Sequence, residues 1–202
     1  AVFSSDSDTE VVLHLLNRSR GMNFYEAVAS ACSSLKGSFS FVFLWKGGLV
    51  AARDYMGIRP LEVGRFQNGW VVASETHVFD TIGATPYGEV PPGTVAWFTP
   101  HEMKVLRYKK AKSSFCVFEY IYFARPDAVF RNISVYEVRK RMGQLLARQA
   151  PVNADIVIPL PDSGVPAALG FAQELGIKLE MAMVRNRYIG RTFIQPLSLI
   201  HI

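Results

Sequence analysis

Two kinds of hydrophobic pattern follow one another in the first half of the chain. Apolar residues recur at helical spacing in residues 7–16 and 24–35, which predicts two amphipathic helices packed on a sheet, the first capped by Ser7. Apolar runs separated by turn residues come next. They predict a short helix at 75–82 and three antiparallel hairpins, with strands at 38–46 and 49–53, at 61–66 and 69–74, and at 94–99 and 103–108. Gly57, in the loop at residues 54–60, is predicted to have a positive φ.

The pattern changes after a basic, polar segment at residues 109–114 (KKAKSS). Residues 115–123 (FCVFEYIYF) are aromatic and predict a strand, and residues 134–149 predict an amphipathic helix capped by Ser134. Strand and helix alternate from here, as in α/β proteins. We therefore predict a boundary near Ser113, between an antiparallel α+β domain at 1–112 and an α/β domain at 113–202.

Residues 155–176 (DIVIPLPDSGVPAALGFAQELG) predict a strand covered on both faces, a tight loop and a helix that ends at Gly176. Asp162, Ser163 and Gly164 form the loop. A loop that joins the carboxyl end of a parallel strand to a helix N-terminus offers backbone N–H groups to an anion such as pyrophosphate. The alternative is an ordinary strand-to-helix turn with Ser163 as the helix N-cap.

Composition narrows the class of protein. With 202 residues, 50% of them apolar and 19% charged, the chain is globular and long enough for one large domain or two modest ones. No apolar run reaches transmembrane length and the first residues do not form a signal peptide, so we expect a cytoplasmic protein. Two cysteines, Cys32 and Cys116, give neither a disulfide framework nor a zinc motif.

The net charge of +5 is spread along the chain until its last part, where Arg185, Arg187 and Arg191 cluster. Such a cluster suits a polyphosphate or a nucleic acid.

Six motifs in order give a more specific indication. They are DYMGIRPL (54–61), VASE (72–75), FEYIYFARPD (118–127), SVYEVRKRMG (134–143), VIPLPDSG (157–164) and NRYIGRTFIQP (186–196). Through these motifs the chain resembles the glutamine phosphoribosylpyrophosphate amidotransferases over nearly its whole length. This resemblance implies part of an N-terminal-nucleophile glutaminase domain, an αββα sandwich, joined to part of a type I phosphoribosyltransferase domain.

The resemblance also implies an activity. Ammonia released from glutamine would displace pyrophosphate from phosphoribosylpyrophosphate and give 5-phosphoribosylamine, the first step of purine synthesis. It further implies Mg²⁺, purine nucleotides as feedback inhibitors and a homo-oligomer, without a membrane or nucleic-acid partner. A regulatory or nucleic-acid-binding module with a phosphoribosyltransferase-like fold is the alternative, but residues 1–108 match a glutaminase half that such modules lack.

Site residues follow from the same resemblance. Asp8 matches the carboxylate that holds the α-amino group of glutamine, although an acidic residue in a first helical turn is the simpler reading. Ser163 matches a magnesium and pyrophosphate position, with Asp162 and Gly164 beside it. Arg187 and Arg191 would neutralise phosphates of the substrate.

Three further residues have alternative roles. Tyr188 and Ile194 match positions that line an ammonia channel, and ordinary packing would explain them equally well. Cys116 matches a cysteine that ligates a four-iron, four-sulfur cluster in one branch of the family and is a free thiol in another.

The nucleophilic cysteine of the family is its first residue, whereas residue 1 here is Ala. The family's glycine-rich phosphoribosyl loop lies beyond Pro196, and residues 197–202 (LSLIHI) do not follow the family. We therefore expect an internal fragment that catalyses neither half-reaction.

Overall fold

The structure is a computed structural model that describes residues 3–19, 21–46 and 48–188. It divides into two compact units, Ala1–Val135 and Tyr136–Ile202. This division reflects compactness, so the domain boundary near Ser113 stays a prediction.

The helices and strands of the larger unit follow the order that the hydrophobic pattern predicts. Its helices are α1 (Glu10–Arg18), α2 (Phe24–Ser34) and α3 (His77–Ile82). Its longer strands are β1 (Ser40–Trp45), β2 (Gly48–Arg53), β3 (Glu62–Phe66), β4 (Gly69–Ala73), β5 (Thr85–Glu89), β6 (Thr94–Phe98) and β7 (Met103–Arg107). Two short strands, β8 (Val129–Phe130) and β9 (Ile133–Ser134), pair with each other.

Seven of these strands form two antiparallel sheets, with the orders β1-β2-β6-β7 and β4-β3-β5. All three predicted hairpins are confirmed. Strand β5 was missed by the sequence analysis. It contains Pro86 and Gly88, and all its residues except Glu89 are exposed, so it shows no alternating pattern.

The pleat of the sheets separates two hydrophobic cores. Val50 and Ala52 of β2 face α2, where they pack with Val28 and Cys32, whereas Ala51 between them faces the second sheet. On the far side of the second sheet, the ring of Phe79 from α3 lies so close to Gly64 that a Cβ there would be 2.8 Å from it. Helices, sheet, sheet and helix thus follow one another, which confirms the αββα fold class.

The segment predicted as a strand at residues 115–123 is instead a π-helical turn, Glu119–Phe123. Tyr120 packs against Phe115 and Phe130, and its hydroxyl donates to the Phe130 carbonyl oxygen at 3.1 Å. Glu119 is buried. Phe115 and Tyr120 thus pack against one small core (Ala124, Ala128, Phe130 and Val135), whereas Phe118, Tyr122 and Phe123 are exposed.

The basic segment at 109–114 is hydrogen-bonded to the loop at residues 54–60 rather than free. In this loop Gly57 has the positive φ that the sequence predicts, at 59°. Three alternate N–H groups donate to loop carbonyl oxygens, from Lys112 to Tyr55 at 2.9 Å, from Ser114 to Met56 at 2.8 Å and from Cys116 to Ile58 at 2.9 Å.

The smaller unit contains helix α4 (Val135–Gln149) except its first residue, and helix α5 (Val165–Leu175). The two helices contact each other at glycines. A Cβ on Gly143 would overlap the Ala167 carbonyl oxygen, and one on Gly170 would overlap that of Lys140. The backbones of the two helices are therefore in contact. Strands β10 (Ile156–Val157) and β11 (Lys178–Leu179) pair in parallel, as the strand–loop–helix prediction requires.

The cap in the alternative interpretation and the burial of the predicted strand are both wrong. The N-cap of α5 is Gly164, with no capping side chain, so Ser163 does not have the capping role. Ile156, Ile158 and Leu160 are exposed, so within the described residues the strand is not covered on both faces. The other end of the helix is as predicted, since Gly176 closes it with φ 69°. No helix in the described part of the chain is long and apolar enough to cross a membrane.

Candidate functional site

Asp8 lies in a turn that precedes α1. The helix begins at Glu10 and not at residue 7, and Thr9 occupies the N-cap position without a side-chain hydrogen bond. The prediction that Ser7 caps this helix is therefore wrong. Asp8 is exposed, and its carboxylate accepts one hydrogen bond among the described residues, from the Thr9 hydroxyl at 3.4 Å. A carboxylate in this state is available to a ligand ammonium group, and its assignment to glutamine stays a prediction.

Glu10 holds the loop that carries Asp8. One carboxylate oxygen accepts from the N–H and hydroxyl of Ser4, at 2.8 and 3.0 Å, and the other accepts from the N–H and hydroxyl of Ser5, at 2.8 and 2.6 Å. These hydrogen bonds, led by that of the Ser5 hydroxyl, lower the pKa of Glu10 to about 2. The sequence analysis missed this role because Glu10 has the ordinary position of an acidic residue in a first helical turn.

The candidate anion site is the loop at residues 161–164. Its first peptide bond, Pro161–Asp162, is cis. The N–H groups of Asp162 and Ser163 have no hydrogen-bond partner in the described ranges, whereas the N–H of Gly164 donates to the Leu160 carbonyl oxygen at 3.1 Å. Ser163 is half-buried. Two N–H groups at the start of α5 thus remain for a ligand.

One member of the basic cluster lies beside this loop. A guanidinium nitrogen of Arg185 is 3.6 Å from a carboxylate oxygen of Asp162. Arg187 and Tyr188 are exposed, and the Tyr188 N–H donates to the Asn186 side-chain oxygen at 2.9 Å. Arg191 and Ile194 lie outside the described residues, so their predicted roles stay predictions.

Magnesium fits the donors of this loop. The Ser163 hydroxyl and Asp162 carboxylate supply oxygen, which Mg²⁺ prefers, and a diphosphate-bound Mg²⁺ needs few protein ligands. The described residues hold no cluster of three or more acidic, His or Cys side chains for a metal. A magnesium ion here would therefore rely on its substrate for most ligands.

The two cysteines of this chain are too few to hold a four-iron, four-sulfur cluster by themselves. A four-iron cluster takes four thiolates, and the chain has two cysteines. Cys32 is in the core between α2 and the first sheet, where burial raises its pKa to about 12. Cys116 is a half-buried free thiol. A cluster at Cys116 would need ligands from outside this chain and stays a prediction.

A buried arginine fixes the loop at residues 54–60. Arg53 is fully buried at the end of β2. Its guanidinium donates to the Glu89 carboxylate at 2.6 Å and to three carbonyl oxygens, those of Arg59 at 2.9 Å, Val90 at 2.9 Å and Gly57 at 3.2 Å. A buried charge requires such pairing. The sequence signal is weak, a single Arg between an apolar strand and a glycine-containing loop.

Glu62 lies directly across from Glu89 in the β3–β5 pairing. Burial, and then the charge of Glu89, raise the pKa of Glu62 to about 7, while Arg53 and Arg131 act in the opposite direction. Glu62 therefore changes protonation near neutral pH.

A second ion pair joins the same loop to the π-helical turn. Arg59 lies 3.0 Å from the buried carboxylate of Glu119, and its guanidinium is 4.7 Å from the centre of the Phe123 ring. Burial raises the pKa of Glu119, and the Arg59 charge opposes that rise. Residues 54–60 are thus fixed to residues 112–123 by both backbone and side-chain contacts.

Comparison with known proteins agrees with this arrangement. Residues 1–81 match a family model described as a glutamine amidotransferase domain. The amidophosphoribosyltransferase of Bacillus subtilis is 41% identical over 97% of this chain, and that of Archaeoglobus fulgidus is 42% identical over 98%. The chloroplastic enzyme of Vigna aconitifolia is 46% identical over 97% of the chain. The chain is thus similar over nearly its whole length to amidophosphoribosyltransferases.

The similarity also holds for the three-dimensional structure. The glutamine phosphoribosylpyrophosphate amidotransferase of B. subtilis, complexed with ADP and GMP, superposes with a TM-score of 0.90 at 40% identity. The match covers 100% of this chain and 44% of the solved chain. The chain likewise spans 41% of the B. subtilis and V. aconitifolia relatives and 44% of the A. fulgidus relative.

Proposed function

We propose that the protein containing this chain is an amidophosphoribosyltransferase. It transfers ammonia from glutamine to phosphoribosylpyrophosphate and forms 5-phosphoribosylamine, glutamate and pyrophosphate, the first step of purine biosynthesis. The observation that carries the proposal is 41–46% identity to amidophosphoribosyltransferases over 97–98% of the chain.

In the glutaminase part, Asp8 binds the α-amino group of glutamine. A charge-assisted hydrogen bond between the exposed carboxylate and the ammonium group orients the substrate and discriminates against molecules that lack an amino group.

In the phosphoribosyl part, the loop at residues 161–164 binds the pyrophosphate group. The Asp162 and Ser163 N–H groups donate to phosphate oxygens, and the helix dipole of α5 favours their negative charge. Arg187 and Arg191 neutralise further phosphate charge. Magnesium, when bound near Ser163, would neutralise the leaving pyrophosphate.

Arg185 places one more cation beside the pyrophosphate loop, since its guanidinium lies 3.6 Å from the Asp162 carboxylate. Tyr188 and Ile194 line the path of ammonia, since an apolar wall keeps ammonia unprotonated.

Purine nucleotides inhibit the enzyme by feedback. This part of the proposal rests on the B. subtilis relative, which was solved with ADP and GMP. We also propose a homo-oligomer in the cytoplasm; the plant relative from V. aconitifolia is named as chloroplastic, so location varies within the family.

The test is an assay of the protein that contains this chain with phosphoribosylpyrophosphate, Mg²⁺ and either glutamine or ammonia. We expect release of pyrophosphate with both nitrogen donors and of glutamate with glutamine. Loss of product when Mg²⁺ is chelated would support the magnesium proposal. A purified, folded protein that forms no phosphoribosylamine from either donor would overturn the proposed function.

A further inference from the structure

The loop that carries Asp8 is anchored at both ends by a single residue. Glu10 belongs to α1 and its carboxylate reaches back five and six residues, to Ser5 and Ser4. In an ordinary capping box the glutamate bonds only to the N-cap N–H three residues before it. Here the carboxylate accepts four hydrogen bonds, two on each oxygen.

The surroundings of Glu10 confirm that the carboxylate is enclosed. Its side chain is 11% exposed, and the imidazole Nε2 of His14, one turn further along α1, lies 3.7 Å from it. The Phe3 ring packs edge-on against His14, with 4.8 Å between ring centres. Residues 3–5 are therefore folded back over the first turns of the helix.

Asp8 lies between the two anchored points, Ser5 and the helix. The loop has few other contacts of its own, among them a 3.4 Å hydrogen bond from the Ser7 N–H to the Ser5 hydroxyl and a 3.1 Å bond from the Glu10 N–H to the Ser7 carbonyl oxygen. Without Glu10, the upstream end of the loop would lose these four hydrogen bonds and keep the Phe3–His14 contact. Ordering it again on ligand binding would then cost conformational entropy.

We propose that Glu10 is a positioning residue for glutamine recognition, which holds the loop at residues 4–9 so that Asp8 is preorganised for the α-amino group of the substrate. This inference rests on the proposed function of Asp8. Glu10 does not touch the substrate in this proposal, so its effect appears in the affinity for glutamine and not in the transfer chemistry.

The experiment compares substitutions in the protein that contains this chain, with glutamine or ammonia as nitrogen donor. Glu10→Ala should raise the KM for glutamine about tenfold, the effect of losing hydrogen bonds to one charged group. The maximal rate with ammonia should not change. Glu10→Gln keeps one acceptor oxygen and should show a smaller rise.

A matched control is Glu26, which lies in the first turn of α2 and makes no hydrogen bond or ion pair within the described residues. Glu26→Gln should leave both activities unchanged. Ser5→Ala, which removes one hydroxyl and leaves the backbone donor in place, should raise the KM for glutamine by less than Glu10→Ala. The double substitution should be no worse than Glu10→Ala alone, because both act through the same contact.

Asp8→Asn separates the two proposals. If Asp8→Asn raises the KM for glutamine and Glu10→Ala and Ser5→Ala do not, the positioning role is overturned and the proposed function stands. If Asp8→Asn has no effect on glutamine use, the assignment of Asp8 itself fails. Equal losses with glutamine and ammonia in Ser5→Ala and Glu10→Gln, with a lower melting temperature, would make Glu10 a folding residue and overturn the positioning role.

Discussion

At the scale of single residues, carboxylates in this chain behave according to their neighbours. Glu10 accepts four hydrogen bonds and stays ionised, Glu62 faces another glutamate and holds a proton more tightly, and Asp8 is exposed with one hydroxyl donor. Three acidic residues that look alike in the sequence thus differ in their hydrogen bonds and neighbouring charges.

Glu62 makes stability depend on pH. Its pKa is about 7 in the folded protein, raised above the value of 4.5 for an unperturbed glutamate. Between these values the unfolded chain releases a proton that the folded chain keeps, so stability falls as pH rises from 4.5 to 7. Glu62→Gln should therefore stabilise the protein at pH 8 by about 1–2 kcal/mol, a value reduced for partial solvent screening.

Urea unfolding at about pH 8 and about pH 4.5 measures this effect. No difference between Glu62→Gln and the unsubstituted protein at pH 8 would show that Glu62 is not protonated abnormally in the folded state.

Asp8 has a separate prediction, for glutamine use. Asp8→Ala should raise the KM for glutamine by about 10- to 100-fold, the range expected for one charge-assisted hydrogen bond, and leave ammonia-dependent synthesis near normal. Steady-state kinetics with each nitrogen donor test this. An equal fall in both activities would identify Asp8 as a residue needed for folding.

At the scale of elements, the loop at residues 54–60 connects β2 with the π-helical turn. Arg53 of β2 donates to the Gly57 and Arg59 carbonyl oxygens of the loop, and Arg59 pairs with Glu119 of the turn. The loop depends on Gly57, which has φ 59°. The side chain of Pro92 lies so close that a Cβ on Gly57 would be 2.5 Å from it.

Gly57→Ala should therefore destabilise the protein by about 2–4 kcal/mol, since it combines a positive φ with an overlap in a packed region. Gly83→Ala is the matched control, because Gly83 has φ 72° but no atom within 4 Å of its Cβ position. Only the backbone term, about 1 kcal/mol, applies there. Thermal unfolding of both variants gives the comparison, and equal losses would show that the Pro92 contact does not matter.

At the scale of the whole molecule, two proposed binding regions lie in different compact units, Asp8 in the larger and Ser163 in the smaller. In the proposed reaction, glutamine is needed only when it is the nitrogen donor, whereas phosphoribosylpyrophosphate is needed with either donor. Substitutions in the two units should therefore have different kinetic signatures.

Ser163→Ala should raise the KM for phosphoribosylpyrophosphate about tenfold with both glutamine and ammonia, through the loss of a hydroxyl that contacts a charged group. Ser33→Ala is the control, since Ser33 is exposed on α2 and, among the described residues, its hydroxyl bonds only to the Ser30 carbonyl oxygen, at 2.7 Å. A Ser163→Ala variant affected with glutamine alone would move Ser163 out of the phosphoribosyl site.

The amino-acid sequence is sufficient to predict elements whose hydrophobic periodicity, turns and caps involve neighbouring residues. Helix α2, the three hairpins, the positive φ of Gly57 and the end of α5 at Gly176 all depend on local periodicity or on turn and cap chemistry. The resemblance to amidophosphoribosyltransferases is also visible in the sequence, because six motifs occur in order. The loop with Ser163 has a local strand–loop–helix pattern, whereas Asp8 is a candidate only through the family resemblance.

Contacts between residues far apart in the chain could not be predicted from local sequence and are visible in the tertiary structure. Arg53 and Glu89 are 36 residues apart, and neither has a local signal for its partner. Residues 115–123 have the composition of a strand and form a π-helical turn, since packing around Phe130 outweighs β propensity. Glu10 has the sequence position of a simple first-turn acid, and its hold on Ser4 and Ser5 depends on how the chain before the helix folds back. Local propensities act over a few residues, whereas burial and charge pairing depend on which segments meet in the folded protein.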